Sequence, residues 1–149
     1  MKTITTLAAA GLLSFSNWCV AAEPAKVQPP LPFTGIDYSG VYDCKGVDSH
    51  EGEYTATVTL TRNKAQSSGA FGAYEFRMEV PNYGTYLGQA VSNGRHIAIH
   101  FALTDPAPKD YGTGLAIATP KGKKQSFRKF YYEPEFKGGN FGNEECVQR

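Results

Sequence analysis

The stretch Tyr54–Arg62, "YTATVTLTR", sets the fold class. Thr55, Thr57, Thr59 and Thr61 fall on one face of an extended chain, and Ala56, Val58 and Leu60 on the other. Side chains alternate faces only in a strand, so this two-residue period specifies a half-buried β-strand. The same period returns on either side. "FGAYEFRMEV", 71–80, sets Tyr74, Phe76, Met78 and Val80 against Glu75, Arg77 and Glu79. "RHIAIHFAL", 95–103, gathers Ile97, Ile99, Phe101 and Leu103. Downstream of residue 22 no segment keeps a 3.6-residue period.

Turn signals separate the strands at regular intervals: "SSG" at 67–69, "PNYG" at 81–84, Asn93-Gly94, "PKGK" at 120–123 and "KGGN" at 137–140. Asn-Gly is the strongest, because a type I′ turn needs positive φ at both central residues. The longest connection is "TDPAPKDYG", 104–112. The pattern predicts eight strands, at about 38–45, 53–62, 71–80, 83–92, 95–104, 113–119, 125–132 and 140–147. Short strands at this spacing specify an all-β fold: an eight-stranded antiparallel up-and-down barrel, with a β-sandwich as the alternative.

Before these strands the chain carries other information. Residues 1–22 have a charge at Lys2, an apolar run from Leu7 to Phe15, and "VAA" before Glu23. This order is that of a secretory signal peptide cleaved after Ala22. The apolar run falls short of the ~20 residues needed to cross a bilayer. Trp18 before Cys19 excludes a lipoprotein site. The expected destination is the periplasm or the extracellular space. Residues 23–34 form a proline-rich leader, "EPAKVQPPLPF" with four prolines, expected to be extended and poorly ordered. A single barrel domain is expected over 35–149.

Loss of Lys2 leaves 14 basic residues of the original 15, against 14 acidic ones. A chain near neutrality has no electrostatic footprint for nucleic acid. Cleavage also removes Cys19. Cys44 and Cys146 remain, and an even pair in an exported chain reads as a disulfide. Such a bond closes a loop of about 100 residues and requires its Cα atoms within about 7 Å. First and last strands are neighbours in an up-and-down barrel, so the bond favours it; a sandwich can also bring them together.

Several phrases resemble those of calycin-like barrels, the group that contains lipocalins and avidins. "YSGVYDCKG" is similar to their G-x-W/Y opening, here Gly40-Val41-Tyr42 with Tyr in place of the usual Trp. "GEYTATVTL", "YGTYLGQAVSNGRHIAIHF", "YGTGLAIATPKG" and "GNFGNEEC" resemble a looser set of exported bacterial proteins of that type. The resemblance spans nearly all of 38–147. It implies a barrel closed by the 140–147 strand, with one glutamate of Glu144-Glu145 turned inward near the mouth. It carries no ligand, since no avidin-type string of biotin-contacting residues is present.

Candidate sites are few. Nine tyrosines are many for this length. Their apolar rings and polar tips suit a ligand pocket or an interface as well as barrel filling. Tyr42, Tyr74, Tyr83, Tyr86, Tyr111 and Tyr131 are the candidate contacts. Lys121, Lys123, Lys124, Arg128 and Lys129 form one basic cluster, read as a solvated hairpin or an anionic-partner contact, with Lys123, Lys124 and Arg128 as its candidates. His96 and His100 share a face but stand roughly 13 Å apart, too far for one metal. No G-x-S-x-G, H-E-x-x-H or P-loop occurs. No catalytic residue, metal or cofactor is expected. The sequence predicts a binding protein, holding a small apolar or amphipathic ligand in a barrel mouth. The alternative is an inhibitor or immunity-type protein that blocks a partner enzyme. A ligand binder needs a cavity; a protein binder needs a filled barrel and an exposed patch.

Overall fold

A computed structural model describes residues 31–149; the expected signal peptide and residues 23–30 of the leader lie outside this range. Eight strands form one closed antiparallel barrel in sequence order. They are β1 (Gly40–Asp48), β2 (Gly52–Arg62), β3 (Phe71–Val80), β4 (Gly84–Asn93), β5 (His96–Leu103), β6 (Tyr111–Lys121), β7 (Lys124–Glu133) and β8 (Asn140–Gln148). A 3-10 turn, Phe136–Gly138, precedes β8. Among the described residues no helix is long and apolar enough to cross a membrane.

Closure occurs where β1 meets β8. Cys44 faces Cys146 in register there, and the two are joined as a disulfide with Cα atoms 4.1 Å apart. Closure pairs the first strand with the last and leaves no free sheet edge. The alternation in the sequence separates inside from outside. Ala56, Val58 and Leu60 of β2 are buried, while Thr55, Thr57, Thr59 and Thr61 face outward. Tyr74, Phe76 and Met78 point inward from β3, and Ile97, Ile99 and Phe101 from β5.

Aromatic rings fill the lumen. Phe101 packs against Phe76, Tyr86 and Tyr131, with centroids 6.4, 5.8 and 5.9 Å away. These rings come from β5, β3, β4 and β7, so they meet across the barrel. Nearer the start of β1, Tyr42 packs on Phe127 at 5.1 Å. We call this the leading end and the opposite one, where β1 finishes, the far end. Residues 36–39 close the leading end. The Tyr38 hydroxyl donates to the Gly94 carbonyl (2.9 Å), Tyr42 to the Tyr38 carbonyl (2.8 Å) and Tyr74 to the Ile36 carbonyl (3.1 Å). The end of the expected leader is also held: Phe33 bridges Gly69, and Arg62 lies 4.6 Å over its ring.

Candidate functional site

The polar groups that stand out are inside the wall and at the far end. On β7, Phe127, Lys129, Tyr131 and Glu133 all point inward. Lys129 therefore leaves the expected basic cluster and becomes a core residue, its side chain 1% exposed. Its Nζ lies 2.7 Å from Oε2 of Glu144, which is fully buried on β8. It also lies 5.4–5.5 Å from the ring centroids of Phe76, Phe101 and Tyr131, a cage of negative ring faces around a cation. Glu144 accepts a hydrogen bond from the Tyr54 hydroxyl (3.0 Å), and its Oε1 lies 2.9 Å from the Cys146 sulfur. Tyr54 reaches this carboxylate because Gly46 sits opposite it on β1. A Cβ at Gly46 would fall 2.3 Å from the Tyr54 ring. Burial and the neighbouring Glu144 charge push the Tyr54 hydroxyl far above its ordinary pKa, so it stays a donor.

The far end is closed by carboxylates and tyrosines. Asp48 ends β1, and its Oδ1 accepts from the backbone N–H groups of His50 and Glu51, which shapes the β1–β2 turn. Its Oδ2 accepts from the Tyr131 hydroxyl at 2.7 Å and from Asn140 Nδ2 at 2.8 Å. Burial alone would raise Asp48, but these bonds hold it below the usual carboxylate range. Asn140 Nδ2 also donates to Glu133. Across the mouth, Tyr83 and Tyr86 stack in near-parallel planes with centroids 6.3 Å apart. Both hydroxyls donate to Asp110 Oδ2, at 2.8 and 2.7 Å.

Asp110 Oδ1 is buried and takes no donor from these groups. Glu133 is its charged neighbour. Burial, with Asp110 and Asp48 as adjacent charges, pushes Glu133 up to about 7. Below that pH Glu133 carries a proton that it can turn toward Asp110, since two close carboxylates in a buried site disfavour each other's ionisation. The rim beyond carries Glu135, held low by the Tyr111 hydroxyl and Lys109.

The structure divides the candidate residues among four places. Tyr83, Tyr86, Tyr111 and Tyr131 gather at the far end with Asp48, Asp110 and Glu133. Tyr42 and Tyr74 are buried in the leading end and tied to backbone carbonyls. Lys123, in the β6–β7 turn, and Lys124, the first residue of β7, are exposed at the leading end. Arg128 stands on the outer wall and pairs with Glu145. The loop 104–110 and the basic hairpin therefore sit at opposite ends of β6, roughly 30 Å apart for a strand of this length, and do not form one patch. Of Glu144-Glu145, the first turns inward and the second outward. His96 and His100 are exposed on β5.

A broad concavity runs past the exposed Lys45, Val47, Glu53, Ile117, Arg128 and Phe130 and is also lined by Tyr54, Ala116, Lys129 and Glu144. Comparison of the chain with protein-family models, with curated proteins and with solved structures finds no match. The closed eight-stranded antiparallel architecture is compatible with a calycin-like fold.

Proposed function

We propose that this is an exported, non-catalytic binding protein of the calycin-like type, which docks a protein partner through its acidic, tyrosine-rimmed far end. One observation carries this reading: the lumen is filled. Phe76, Phe101, Tyr86 and Tyr131 meet across it, the Lys129–Glu144 pair occupies the space between them, and hydrogen-bonded tyrosines close the leading end. A small-molecule site is a concave space with convergent polar groups. Here the inward polar groups converge on one another. A small apolar ligand would have to displace several core rings.

Recognition then passes to the outside. The far end offers exposed Tyr83 and, at the same end, Glu53 and Asp105 together with Glu51 and Glu135, which pair with Lys137 and Lys109. Tyrosine is enriched at interface cores. Negative charge around it complements a basic surface and steers its approach. A basic substrate groove on an enzyme is such a surface, which supports an inhibitor or immunity-type role.

Native mass spectrometry of the protein purified from its producing cell tests this. A protein-sized adduct that disappears in Tyr83→Ala/Glu135→Lys is the expected result. A retained mass of a few hundred daltons, indifferent to that variant, would overturn the reading in favour of a ligand within the barrel.

A further inference from the structure

The barrel has two outer walls of different chemistry. On β2 and β3 the outward positions are mostly threonines and charged residues, with Phe71 exposed at the start of β3. On β4 to β8 they include Val91, Leu115, Ile117, Phe130, Tyr132 and Phe141, each about half exposed; Phe130 is 57% exposed. Strand register makes them continuous. Val91 lies opposite Ala98, Ala98 opposite Leu115 and Leu115 opposite Phe130, a single row across four strands. Two residues along, Tyr132 lies opposite Phe141.

Six such side chains expose on the order of 600 Å² of apolar surface, at or above the largest patch of a typical monomer. A standard interface buries ~800 Å² per partner, a little over half of it apolar. The wall is therefore large enough for one stable interface of ordinary size.

Charge at the two edges of this wall selects the occupant. The leading edge carries Arg95 in the β4–β5 turn, Lys123 in the β6–β7 turn and Lys124 at the start of β7, all exposed. The far edge carries exposed Asp105 in front of buried Asp110, while Glu135 is paired to Lys109 and Lys137 to Glu51. One edge is strongly basic and the other weakly acidic. A second copy of the chain, turned end for end, presents the opposite order along the same apolar row.

We propose that two copies of this protein pack wall to wall through β4–β8 in antiparallel orientation, with Phe130 and Leu115 near the two-fold axis. Closed two-fold contacts use the same patch on both partners. That axis, lying in the plane of the interface and across the strands, lays the basic edge of each copy over the acidic edge of the other. A parallel pairing would bring Lys123 and Lys124 against their own counterparts. The apolar row is a different surface from the mouth, although Asp105 and Glu135 border both; loss of dimer on Phe130→Glu reports on the row alone.

Sedimentation velocity of the oxidised protein, purified from its producing cell, tests it. At about 50 μM and low salt the expected mass is twice that of the chain, corresponding to a Kd in the micromolar range. Phe130→Glu, an exposed and fold-neutral change, should give a monomer. Lys123→Glu/Lys124→Glu should weaken association at least tenfold, and adding Asp105→Lys/Glu135→Lys should restore it, because the edges become complementary again. A wild-type monomer at that concentration overturns the proposal. So does a dimer untouched by Phe130→Glu, or one that the second charge reversal fails to rescue.

Discussion

Removing the ammonium of Lys129 should cost this fold more than any substitution on its surface. The Nζ atom stands 2.7 Å from Glu144, with the two side chains 1% and 0% exposed. In Lys129→Met the stem is kept and only the charge is lost. Glu144 then keeps the Tyr54 hydroxyl and its sulfur contact, but no positive partner. A buried carboxylate left in that state destabilises by about 3–5 kcal/mol. Loss of the aromatic cage around the cation adds on the order of 1 kcal/mol. Total stability for a domain of this kind is about 5–15 kcal/mol, so a large share disappears. Glu144→Leu alone should be comparably harmful, because it strands the ammonium. The double variant Lys129→Met/Glu144→Leu removes both charges and should recover to within about 2 kcal/mol of the parent. Urea unfolding followed by far-ultraviolet circular dichroism, with the disulfide intact, measures all four members of this cycle. If Lys129→Met lost less than about 1 kcal/mol, or if the two single losses simply added, the pair would not be acting as a buried ion pair.

Two more predictions concern the far end and the seam. Glu133 holds its proton up to about 7 in the folded chain, against an ordinary value of 4.5, so the folded state binds the extra proton between those limits. Stability should be greatest at the acid side of that window, fall by roughly 1–3 kcal/mol as pH rises through it, and level off above. Urea midpoints between pH 4.5 and 8 test this; Glu133→Gln should flatten the decline, and a rise in stability across the window would contradict the assignment. Asp48, held low, acts at more acidic pH, where its protonation should destabilise the fold. At the seam, Cys44 and Cys146 are 102 positions apart. Replacing both by alanine should cost about 4–5 kcal/mol by the chain-entropy argument, and a loss below about 2 kcal/mol in the same unfolding assay would mean that β1–β8 pairing holds without the bond.

The barrel was legible in the sequence because its strands alternate so cleanly. Expected and observed bounds differ by at most three residues, as at 38–45 against Gly40–Asp48, or 113–119 against Tyr111–Lys121. The cysteines named the closing pair. Lys129 was misplaced because charge type was allowed to outweigh position. It shares a period-two face with Phe127 and Tyr131, and that phase alone puts it inside. The far-end cluster was not legible at all. Asp48, Asp110 and the Glu133–Asn140 pair come from three separate connections, and only barrel closure brings them together. The six candidate tyrosines were separable only once inward faces and ends were known, since residue type says nothing about which mouth a ring lines. The continuous apolar row on β4–β8 likewise depends on cross-strand register, which single strands do not reveal.

The β1–β8 seam also has a consequence in time. Every other strand pairs with the one just before it, so those hairpins can form as the chain emerges N-terminus first. The last pairing joins residues about a hundred positions apart and must wait for the closing strand β8, Asn140–Gln148. Until then β1 offers an unpaired row of backbone donors and acceptors, with Val41 and Tyr42 beside it. Such edges recruit strands from neighbouring chains. Long-range closure of this kind is slow. The chain is therefore most vulnerable when it is nearly complete, and an oxidant that traps Cys44 with Cys146 at first encounter would shorten that interval.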